Sequence, residues 1–316
     1  MSACIALVVN PCSLAGSGAA AWQRTVERLR RRAIVCGELQ TSGDSANGGR
    51  VAQLITETQP EIVVAAGGDG TVTEVVQGIM LAASNPAPAL AIVPLGTANN
   101  VARSLGLRSF RQDPDAAVDL TVTAILDGQQ RHIDLGQVGT RHFVGSFAIG
   151  MDADILATRN RAQRRLRLGR RIGGYPLYLW SCAVNLLRHR STAARLRIDG
   201  SDRSAIVYNL LVTNTPIYAG EFRFDADNSV DDGQLDLHLF SGPLDYLRRY
   251  PAAWRRHVRY ARGLRVEPPH AVRRVRELVI ELASSVSCQL DGEEGSSAAS
   301  YRVRALPRAL AVRVPA

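Results

Sequence analysis

The amino-acid sequence predicts an α/β domain over residues 1–132, followed by a β-rich domain over residues 133–302. In the first half, short runs of β-branched residues alternate with helical patterns, which is typical of a parallel sheet flanked by helices. The character of the chain changes near Ile133, after which short predicted strands are separated by turns and favour an antiparallel sheet. The length of 316 residues agrees with about two domains.

The first domain opens on an apolar segment, Met1–Pro11. This segment is too short for a signal peptide and lacks a positively charged leader, so we interpret it as a strand. The elements that follow alternate in type. Strands are predicted at Ile5–Val9, Ala33–Leu39, Glu61–Ala66 and Ala89–Pro94, and helices at Ala19–Arg32, Gly48–Glu57, Thr73–Ala83 and Asn100–Leu105.

The second domain is predicted to contain seven strands and two arginine-rich helical segments, Thr158–Leu187 and Asp245–Arg265. A closing strand at Leu310–Val314 is compatible with either domain. The seven strands are predicted at Ile133–Val138, His142–Ile149, Ala194–Ile198, Ser204–Thr213, Gln234–Phe240, Glu277–Leu282 and Val286–Leu290.

The composition excludes several kinds of chemistry. All 38 basic residues are arginine, so a Schiff-base lysine and the phosphate-binding lysine of a Walker A loop are excluded. The five cysteines show no CxxC spacing, which argues against a disulfide framework and a zinc site and predicts a reducing, cytoplasmic location. The longest later apolar stretch, Tyr175–Leu187, is too short to span a bilayer, so membrane contact is expected to be peripheral.

The sharpest motif is a glycine-rich loop, Gly67-Gly68-Asp69-Gly70-Thr71, between a buried strand and a helix. Glycines at such a turn let the backbone approach a ligand closely, and the helix N-terminus offers N–H groups and a positive dipole end to phosphate oxygens. Two interpretations of Asp69 stay open. It reaches a magnesium ion bound to a nucleotide, or it caps the helix.

A second loop of the same kind, Leu95–Asn100, follows the next strand, where Thr97 offers a hydroxyl group. Because ligands bind at the carboxyl ends of strands in open α/β sheets, the two loops are expected to line one crevice. Two more polar turns are expected at the same edge: Asn10–Ser13 with Gly16–Gly18 after the first strand, and Thr41–Asp44 after the second.

In these motifs the chain resembles the diacylglycerol kinase catalytic-domain family, which includes bacterial lipid kinases and sphingosine kinases. The resemblance implies an N-terminal nucleotide-binding lobe of the NAD kinase/diacylglycerol kinase type, a C-terminal antiparallel β-sandwich lobe with the active site between them, and a strand at 303–316 that returns to the first lobe. The matching segments are Asn10-Pro11, Gly16–Gly18, Gly67–Thr71, Glu74–Gly78, Pro94–Asn99, Gly150–Ala153, Asp231–Asp236 and Leu290–Glu293.

The resemblance implies an ATP-dependent enzyme of phospholipid biosynthesis that phosphorylates a hydroxyl group of a lipid such as diacylglycerol. Glu293 would be the general base and Asp69 a second catalytic residue. A structural Mg²⁺ would be held by the Asp232 side chain and by the backbone carbonyls of Ser229 and Gln234. The implied ATP contacts are Asn10, Thr41, Gly67, Gly68, Asp69, Gly70, Thr71, Val72, Thr73 and Thr97.

Three positions depart from the family pattern. Thr73 stands where the family usually has Asn, Asn100 stands where it usually has Asp, and Gly145-Ser146 replaces a usual Asn. The residues by themselves also allow plainer interpretations. The acidic segment Asp291–Gly295 could be a solvated hairpin loop, and Asp231-Asp232-Gly233 could be only a turn.

Two arginine clusters without interleaved acids are predicted to bind an anionic membrane surface, with aromatic side chains in the headgroup layer. Nucleic acid competes for the same charge, but no nucleic-acid-binding motif accompanies the clusters, so it is not the expected partner. The arginines are Arg159, Arg161, Arg164, Arg165, Arg167, Arg170 and Arg171, then Arg248, Arg249, Arg255, Arg256, Arg259, Arg262 and Arg265, with the aromatic residues Tyr246, Tyr250, Trp254 and Tyr260.

Two alternative functions stay open. A NAD kinase-like enzyme would share the glycine-rich loop over ATP, although motifs for the dinucleotide are not evident. A non-catalytic nucleotide-binding, membrane-associated protein would keep the fold and tolerate the departures at Thr73 and Asn100. The sequence fixes neither the lipid acceptor nor the oligomeric state, so a homodimer is also left open.

Overall fold

The structure, a computed structural model, describes residues 3–14, 17–42, 46–107, 110, 114–165, 174–225, 227–264 and 272–316. The chain divides into two compact units. Unit 1 comprises residues 1–135, 230–232 and 307–316, and unit 2 comprises residues 136–229 and 233–306. No helix in the described part of the chain is long and apolar enough to cross a membrane.

Unit 1 is built on a parallel sheet with the strand order β2-β1-β3-β4-β16, which β16 joins through its last residues, with Val312 paired to Leu90. The strand β3 is buried along its whole length, as expected for a strand covered on both faces. The strands are β1 (Cys4–Val9), β2 (Ile34–Gln40), β3 (Ile62–Gly67), β4 (Ala89–Pro94) and β16 (Ala298–Val314).

Among the described residues, five α-helices accompany this sheet. Buried residues of α1 and α5 share one apolar cluster with the strands, and α2 packs against α3. The helices are α1 (Ser17–Arg32), α2 (Asn47–Thr58), α3 (Asp69–Ala82), α4 (Asn100–Ser104) and α5 (Pro114–Leu126). The predicted start of the third helix at Thr73 is wrong by one turn, because Gly68 has extended backbone angles and is the N-cap residue.

Unit 2 contains two antiparallel sheets. One has the order β12-β11-β10-β7-β14-β15, and the other has the order β9-β8-β13-β16. Phe147 and Ile149 of one sheet share an apolar core with Leu196, Leu278 and Ile280 of the other, which confirms the predicted sandwich. The strands are β5 (Gln129–Val138), which enters from unit 1, β6 (Arg141–Phe143), β7 (Ser146–Gly150), β8 (Thr192–Ile198), β9 (Ser201–Val207), β10 (Asn209–Thr213), β11 (Leu235–Phe240), β12 (Arg273–Val275), β13 (Glu277–Val286), β14 (Cys288–Leu290) and β15 (Glu293–Glu294).

Three helices lie on the outer face of the six-stranded sheet: α6 (Met151–Arg165), α7 (Gly174–Arg188) and α8 (Pro243–Ala261). The described residues of the segment predicted to be helical, Thr158–Leu187, belong to the end of α6, which begins earlier at Met151, and to α7. The two are joined by residues that lie outside the described part of the chain.

Two predicted strands are also divided. The segment Ser204–Thr213 forms β9 and β10, which belong to different sheets, and Tyr208 lies between them. The segment His142–Ile149 forms β6 and β7, separated at Val144 and Gly145. An alternating pattern predicts extended backbone but does not show where the chain passes from one sheet to the other.

Candidate functional site

The two glycine-rich loops of unit 1 are in direct backbone contact. The N–H groups of Leu95 and Gly96 donate to the carbonyl oxygen of Gly67, at 2.9 and 3.2 Å. A Cβ atom on Gly96 would lie 2.4 Å from the Cα of Gly68, and one on Gly67 would lie 2.2 Å from the Thr71 hydroxyl oxygen. Both positions therefore require glycine, because neighbouring atoms leave no room for a Cβ. The two loops form one edge at the start of α3.

Asp69 is the first residue of α3, but its side chain caps the N-terminus of α4. Its carboxylate accepts hydrogen bonds from the main-chain N–H of Val101, at 3.1 Å, and from the side-chain amide of Asn100, at 3.2 Å. Both donors belong to the first turn of α4. The carboxylate thus connects the start of α3 to the start of α4, where the positive ends of helix dipoles favour negative charge.

The other predicted ATP contacts differ in accessibility. The Asn10 amide donates to the Thr71 hydroxyl at 3.3 Å, and the N–H of Thr41 donates to the carbonyl of Val9. The side chains of Thr71, Val72 and Thr73 are each 2% exposed, and the Thr73 hydroxyl donates to the Asp69 carbonyl. These three residues are therefore almost inaccessible to a ligand in this structure. Gly68, Gly70 and Thr97 are partly or fully exposed.

The residues at this edge fit a phosphate group accompanied by a divalent cation. The glycines leave room that a Cβ would fill, and the N-terminal N–H groups of a helix are suited to bind phosphate oxygens. The Asp69 carboxylate and the Asn100 amide supply hard oxygen atoms, which Mg²⁺ prefers.

The predicted acidic turn of unit 2 is a tight hairpin between β14 and β15. Its two central residues, Asp291 and Gly292, have φ angles of 49° and 82°, so the backbone is left-handed at both positions, as in a type I′ hairpin turn. The Asp291 carboxylate accepts hydrogen bonds from the N–H groups of Val144, Gly145 and Ser146, at 2.8–2.9 Å. Asp291 therefore fixes the chain between β6 and β7, a role that the sequence motif does not reveal.

Glu293, the predicted general base, directly follows that turn and begins β15. Its side chain is 44% exposed, and its Oε2 atom lies 3.7 Å from the Arg141 guanidinium group. The adjacent Glu294 accepts a hydrogen bond from Asn160 at 2.7 Å and lies 3.7 Å from Arg164. The hairpin thus leaves the Glu293 side chain partly exposed beside Arg141 and connects Glu294 to α6.

The three residues predicted to hold a structural cation, Ser229, Asp232 and Gln234, lie in the segment that leads into β11, and the Asp232 side chain is exposed. The adjacent Asp231 forms an ion pair with Arg131 at 2.8 Å. Among the described residues, no three His, Cys, Asp or Glu side chains form a metal-binding group. The predicted donors include only one carboxylate, and a carboxylate with two carbonyls fits a hard cation.

A further buried site was missed by the sequence analysis. The carboxylate of Asp152, 9% exposed, accepts hydrogen bonds from the hydroxyls of Tyr218 at 3.0 Å, Tyr246 at 2.7 Å and Tyr250, and from the Asn209 amide at 2.9 Å. Burial, together with the negative charge of Asp152, raises the pKa of each of the three tyrosines well above the ordinary value for tyrosine. We call these five residues the Asp152 cluster.

The cluster corrects one expectation. Tyr246 and Tyr250 were predicted to lie among membrane headgroups, whereas they are 8% and 7% exposed. They repeat at a spacing of four on α8, so one helical face can carry both toward the same carboxylate. An aspartate and a pair of tyrosines almost a hundred residues apart give no local signal that they meet.

The arginine clusters are also divided by the structure. Arg249 stacks on the Phe240 ring and donates to the Leu239 carbonyl, and Arg164 lies near Glu294. The exposed members of the second cluster are Arg248, Arg255, Arg259 and Arg262. Arg167, Arg170, Arg171 and Arg265, together with Gly16, Gly43 and Asp44 of the polar turns, lie outside the described residues.

Comparisons with known proteins agree with this fold. Residues 4–138 match the diacylglycerol kinase catalytic domain, and residues 145–314 match the YegS C-terminal NAD kinase beta sandwich-like domain. A diacylglycerol kinase from Bacillus anthracis str. Sterne superimposes with a TM-score of 0.72 at 20% sequence identity, covering 98% of this chain and 96% of that one. At this identity the superposition establishes the fold class, an α/β unit followed by a β-sandwich of the NAD kinase/diacylglycerol kinase type.

The sequence comparisons identify the family. A diacylglycerol kinase of Bacillus subtilis (strain 168) is 28% identical over 262 residues, which cover 80% of this chain and 77% of that protein. A probable YegS-like lipid kinase of Chromohalobacter salexigens is 31% identical over 199 residues, which cover 63% and 60%. With both domains matched in order, the chain belongs to the diacylglycerol kinase and YegS-like lipid kinase family.

Proposed function

We propose that the protein is an ATP-dependent lipid kinase that transfers the γ-phosphate to a hydroxyl group of a membrane lipid such as diacylglycerol. The observation that carries this proposal is the backbone contact of two glycine-rich loops at the ends of the adjacent strands β3 and β4, beside the start of α3. Relatives named diacylglycerol kinase or probable lipid kinase support the lipid acceptor.

In this proposal the loops bind the phosphates of ATP through main-chain N–H groups. A chain without lysine must neutralise phosphate charge with backbone dipoles, arginine or a metal ion. Magnesium bound to the nucleotide would supply charge neutralisation at the transferred phosphoryl group. Hydrogen bonds from Asn100 and Val101 hold the Asp69 carboxylate at the same edge.

Glu293 is the proposed general base. An alcohol is a poor nucleophile while it keeps its proton, so a carboxylate must lie near the acceptor oxygen. The hairpin positions Glu293 from a rigid turn, since Asp291 is bound by three main-chain N–H groups. The partly exposed Glu293 side chain can accept that proton from an incoming lipid.

The test uses the purified full-length protein with radiolabelled ATP, Mg²⁺ and mixed vesicles containing diacylglycerol. Label in the organic phase supports the proposal. Label on added NAD would identify a NAD kinase instead, and nucleotide binding with no transfer to either acceptor would identify a non-catalytic protein. Both of those outcomes contradict the proposal.

Variants connect this activity to the loop. We expect Gly68→Ala and Asp69→Ala to abolish transfer, because the first adds a Cβ at 3.2 Å from Gly96 and the second removes the carboxylate. Gly49→Ala is the matched control, since its Cβ would meet no atom within 4 Å. Circular dichroism must show that each variant is folded. Turnover like that of the native protein in both loop variants would contradict the loop assignment.

We also propose a structural Mg²⁺ site at Asp232 with the carbonyls of Ser229 and Gln234. A ligand that binds only the folded state stabilises it by about 2.7 kcal/mol at a hundredfold excess over its dissociation constant. Added Mg²⁺ should therefore raise the melting temperature of the native chain, and Asp232→Ala should remove most of that increase. Asp231→Ala is the control for charge. A melting temperature that is indifferent to Mg²⁺ and to chelator would show that the segment is only a turn.

A further inference from the structure

The outer faces of α7 and α8 carry exposed apolar side chains that no described part of the chain covers. The exposed fractions are high for such large groups: Leu179 49%, Trp180 51%, Leu187 77%, Leu244 82%, Leu247 48% and Trp254 47%. Single exposed leucines are ordinary, but six large apolar side chains exposed on two helices of one layer call for a partner.

On α8 the exposed side chains form two adjoining rows. Leu247, Pro251 and Trp254 follow one another at spacings of four and three, so they lie on one stripe. Beside it, Arg248, Arg255 and Arg262 repeat every seven residues, which is about two turns. The buried residues Tyr246, Tyr250 and Ala253 lie on the face opposite the arginine row.

The exposed stripe of α7 contains no charge. Trp180, Ala183 and Leu187 lie on one face at spacings of three and four, and the sequence from Gly174 to Leu187 has no charged residue. The buried face of α7 contains Ser181 and Asn185.

Both helices belong to one layer. Tyr178, Cys182 and Leu186 of α7 pack on the same apolar cluster as Tyr246 and Tyr250 of α8, over the outer face of the six-stranded sheet. The exposed faces of α7 and α8 therefore point away from that sheet together, and we call them the outer helix surface.

The charge of this surface selects its partner. Asp245 is the sole carboxylate within α7 and α8, and it is turned toward Arg249 and the N–H of Ser241. In the described part of the chain, no carboxylate pairs with Arg248, Arg255 or Arg262. A surface of arginine and apolar side chains in a chain of net charge +9 repels a second copy of itself, whereas it attracts an anionic partner.

We propose that the outer helix surface docks the protein on an anionic lipid bilayer. Tryptophan and leucine enter the boundary between headgroups and acyl chains, and the adjoining arginines bind lipid phosphates. Nucleic acid would satisfy the arginines but would leave the leucines exposed to water, so a bilayer fits both rows better. This surface adds a docking site to the proposed lipid kinase and is tested by binding alone.

The test is vesicle flotation of the full-length protein without ATP, with phosphatidylcholine alone and with phosphatidylcholine mixed with phosphatidylglycerol. We expect binding to the anionic vesicles only, weakened as salt screens the charges. Each arginine near such a surface contributes about fivefold to affinity, so Arg248→Gln with Arg255→Gln should weaken binding by about twenty- to thirtyfold. The matched control, Arg195→Gln with Arg203→Gln, removes the same charge from the other sheet and should leave binding nearly unchanged.

Tryptophan fluorescence locates the contact independently. The chain has three tryptophans, and Trp22 packs against the core of unit 1, whereas Trp180 and Trp254 lie on the outer helix surface. Brominated phospholipids should quench the emission of the native protein, and the quenching should disappear when Trp180→Phe and Trp254→Phe are combined. Leu247→Ser should weaken binding that persists at high salt, while the same change at Leu81, an exposed leucine of α3, should not.

Several results would overturn the proposal. These are equal binding to neutral and anionic vesicles, equal loss in the two double arginine variants, quenching that survives without Trp180 and Trp254, or tighter binding to duplex DNA than to vesicles. A dimer in solution that buries both tryptophans, without vesicle binding, would also overturn it. None of these results bears on phosphate transfer to a lipid dispersed in detergent, so docking and the kinase activity fail separately.

Discussion

Asp69 in unit 1 and Asp152 in unit 2 occupy the same local position but have different surroundings. Each lies in the first turn of a helix that follows a buried strand, β3 before α3 and β7 before α6. Asp69 is half-buried and accepts hydrogen bonds from two adjacent residues of α4. Asp152 is almost enclosed, and its donors come from three tyrosines and an asparagine that are 57 to 98 residues away in the chain.

The difference shows that a strand–turn–helix motif places a carboxylate but does not assign its role. An ionised carboxylate offers about four acceptor positions, and the Asp152 cluster supplies four donors. Asp152 is therefore a structural residue that ties α6 to α8. Asp69 is bound at the edge of a sheet, among glycines whose backbone can meet a ligand, so the same residue type is suited to chemistry there.

The largest expected effect is that of Glu293, whose surroundings differ from those of both Asp69 and Asp152. We expect Glu293→Gln to lower turnover by about 10²–10⁴-fold, because a positioned general base contributes that much. Glutamine keeps the size of the side chain, so ATP affinity and the melting temperature should hardly change. The measurement is steady-state kinetics together with nucleotide binding.

Glu294→Gln is the matched control for this prediction. It removes the same charge from the adjacent residue, which is held by Asn160 and Arg164, and should leave turnover nearly unchanged. Full turnover in Glu293→Gln, or a loss that appears only as weaker ATP binding, would show that Glu293 is not the base. Asp69 would then be the next candidate.

Asp152→Ala should destabilise the protein by at least about 3 kcal/mol. The substitution leaves three buried tyrosine hydroxyls without their acceptor, and each unsatisfied group costs about 1–3 kcal/mol. Urea unfolding measures the change. Asp245→Ala is the control, because Asp245 also lies in the first turn of a helix but is 34% exposed, so its loss should cost less than about 1 kcal/mol. If both variants lose equal stability, Asp152 is not the anchor of this layer.

Much of the fold could be predicted because its signals are local. The bounds of β4, Ala89–Pro94, coincide with those expected from its apolar run, and the glycines of the 67–71 segment mark the turn after β3. The predicted start of α3 is too late because the sequence Gly68-Asp69-Gly70 is typical of a loop. In the structure Gly68 is the N-cap residue and the helix begins at Asp69. Local patterns thus give the elements but not the register of the first helical turn.

The parts that could not be predicted depend on contacts between distant residues. Asp291 interrupts a predicted strand by binding the N–H groups of residues 144–146, more than 140 positions earlier. Tyr246 and Tyr250 looked like interfacial aromatics because their burial depends on Asp152 and the sheet beneath them. Leu244 and Leu187, on the same layer, are exposed, although apolar residues in a helical pattern are usually expected to be buried.

A histidine beneath α8 gives a pH-dependent test of the same layer. Burial and the charges of Arg249 and Arg256 lower the pKa of His238 to about 3. The unfolded chain therefore binds a proton near pH 6.5 that the folded chain does not, so stability is complete above that pH and falls as the pH decreases. From about pH 7 to about pH 5 the loss from this residue should be about 2 kcal/mol.

His238→Gln isolates this effect. Glutamine can still hydrogen-bond to Thr213, 3.3 Å from the histidine ring, but it does not titrate. Urea unfolding of both proteins at the two pH values should therefore show a smaller loss in the variant. Equal losses would mean that the pKa of His238 is not lowered in the folded chain, and that this histidine contributes nothing to the pH dependence of stability.

The smallest expected effect tests the Asp69 side of the comparison. Asn100 donates its amide N–H to Asp69, whereas the Asp that the family usually has at this position would bring a second carboxylate. Asn100→Asp removes a hydrogen bond worth about 1 kcal/mol and places two negative charges in contact, which raises the pKa of one of them. The variant should melt below the native protein in chelator and recover when Mg²⁺ neutralises the pair, whereas Asn100→Ala should lose similar stability without recovery. Equal responses of the two variants to Mg²⁺ would show that a second carboxylate at position 100 does not strengthen cation binding beside Asp69.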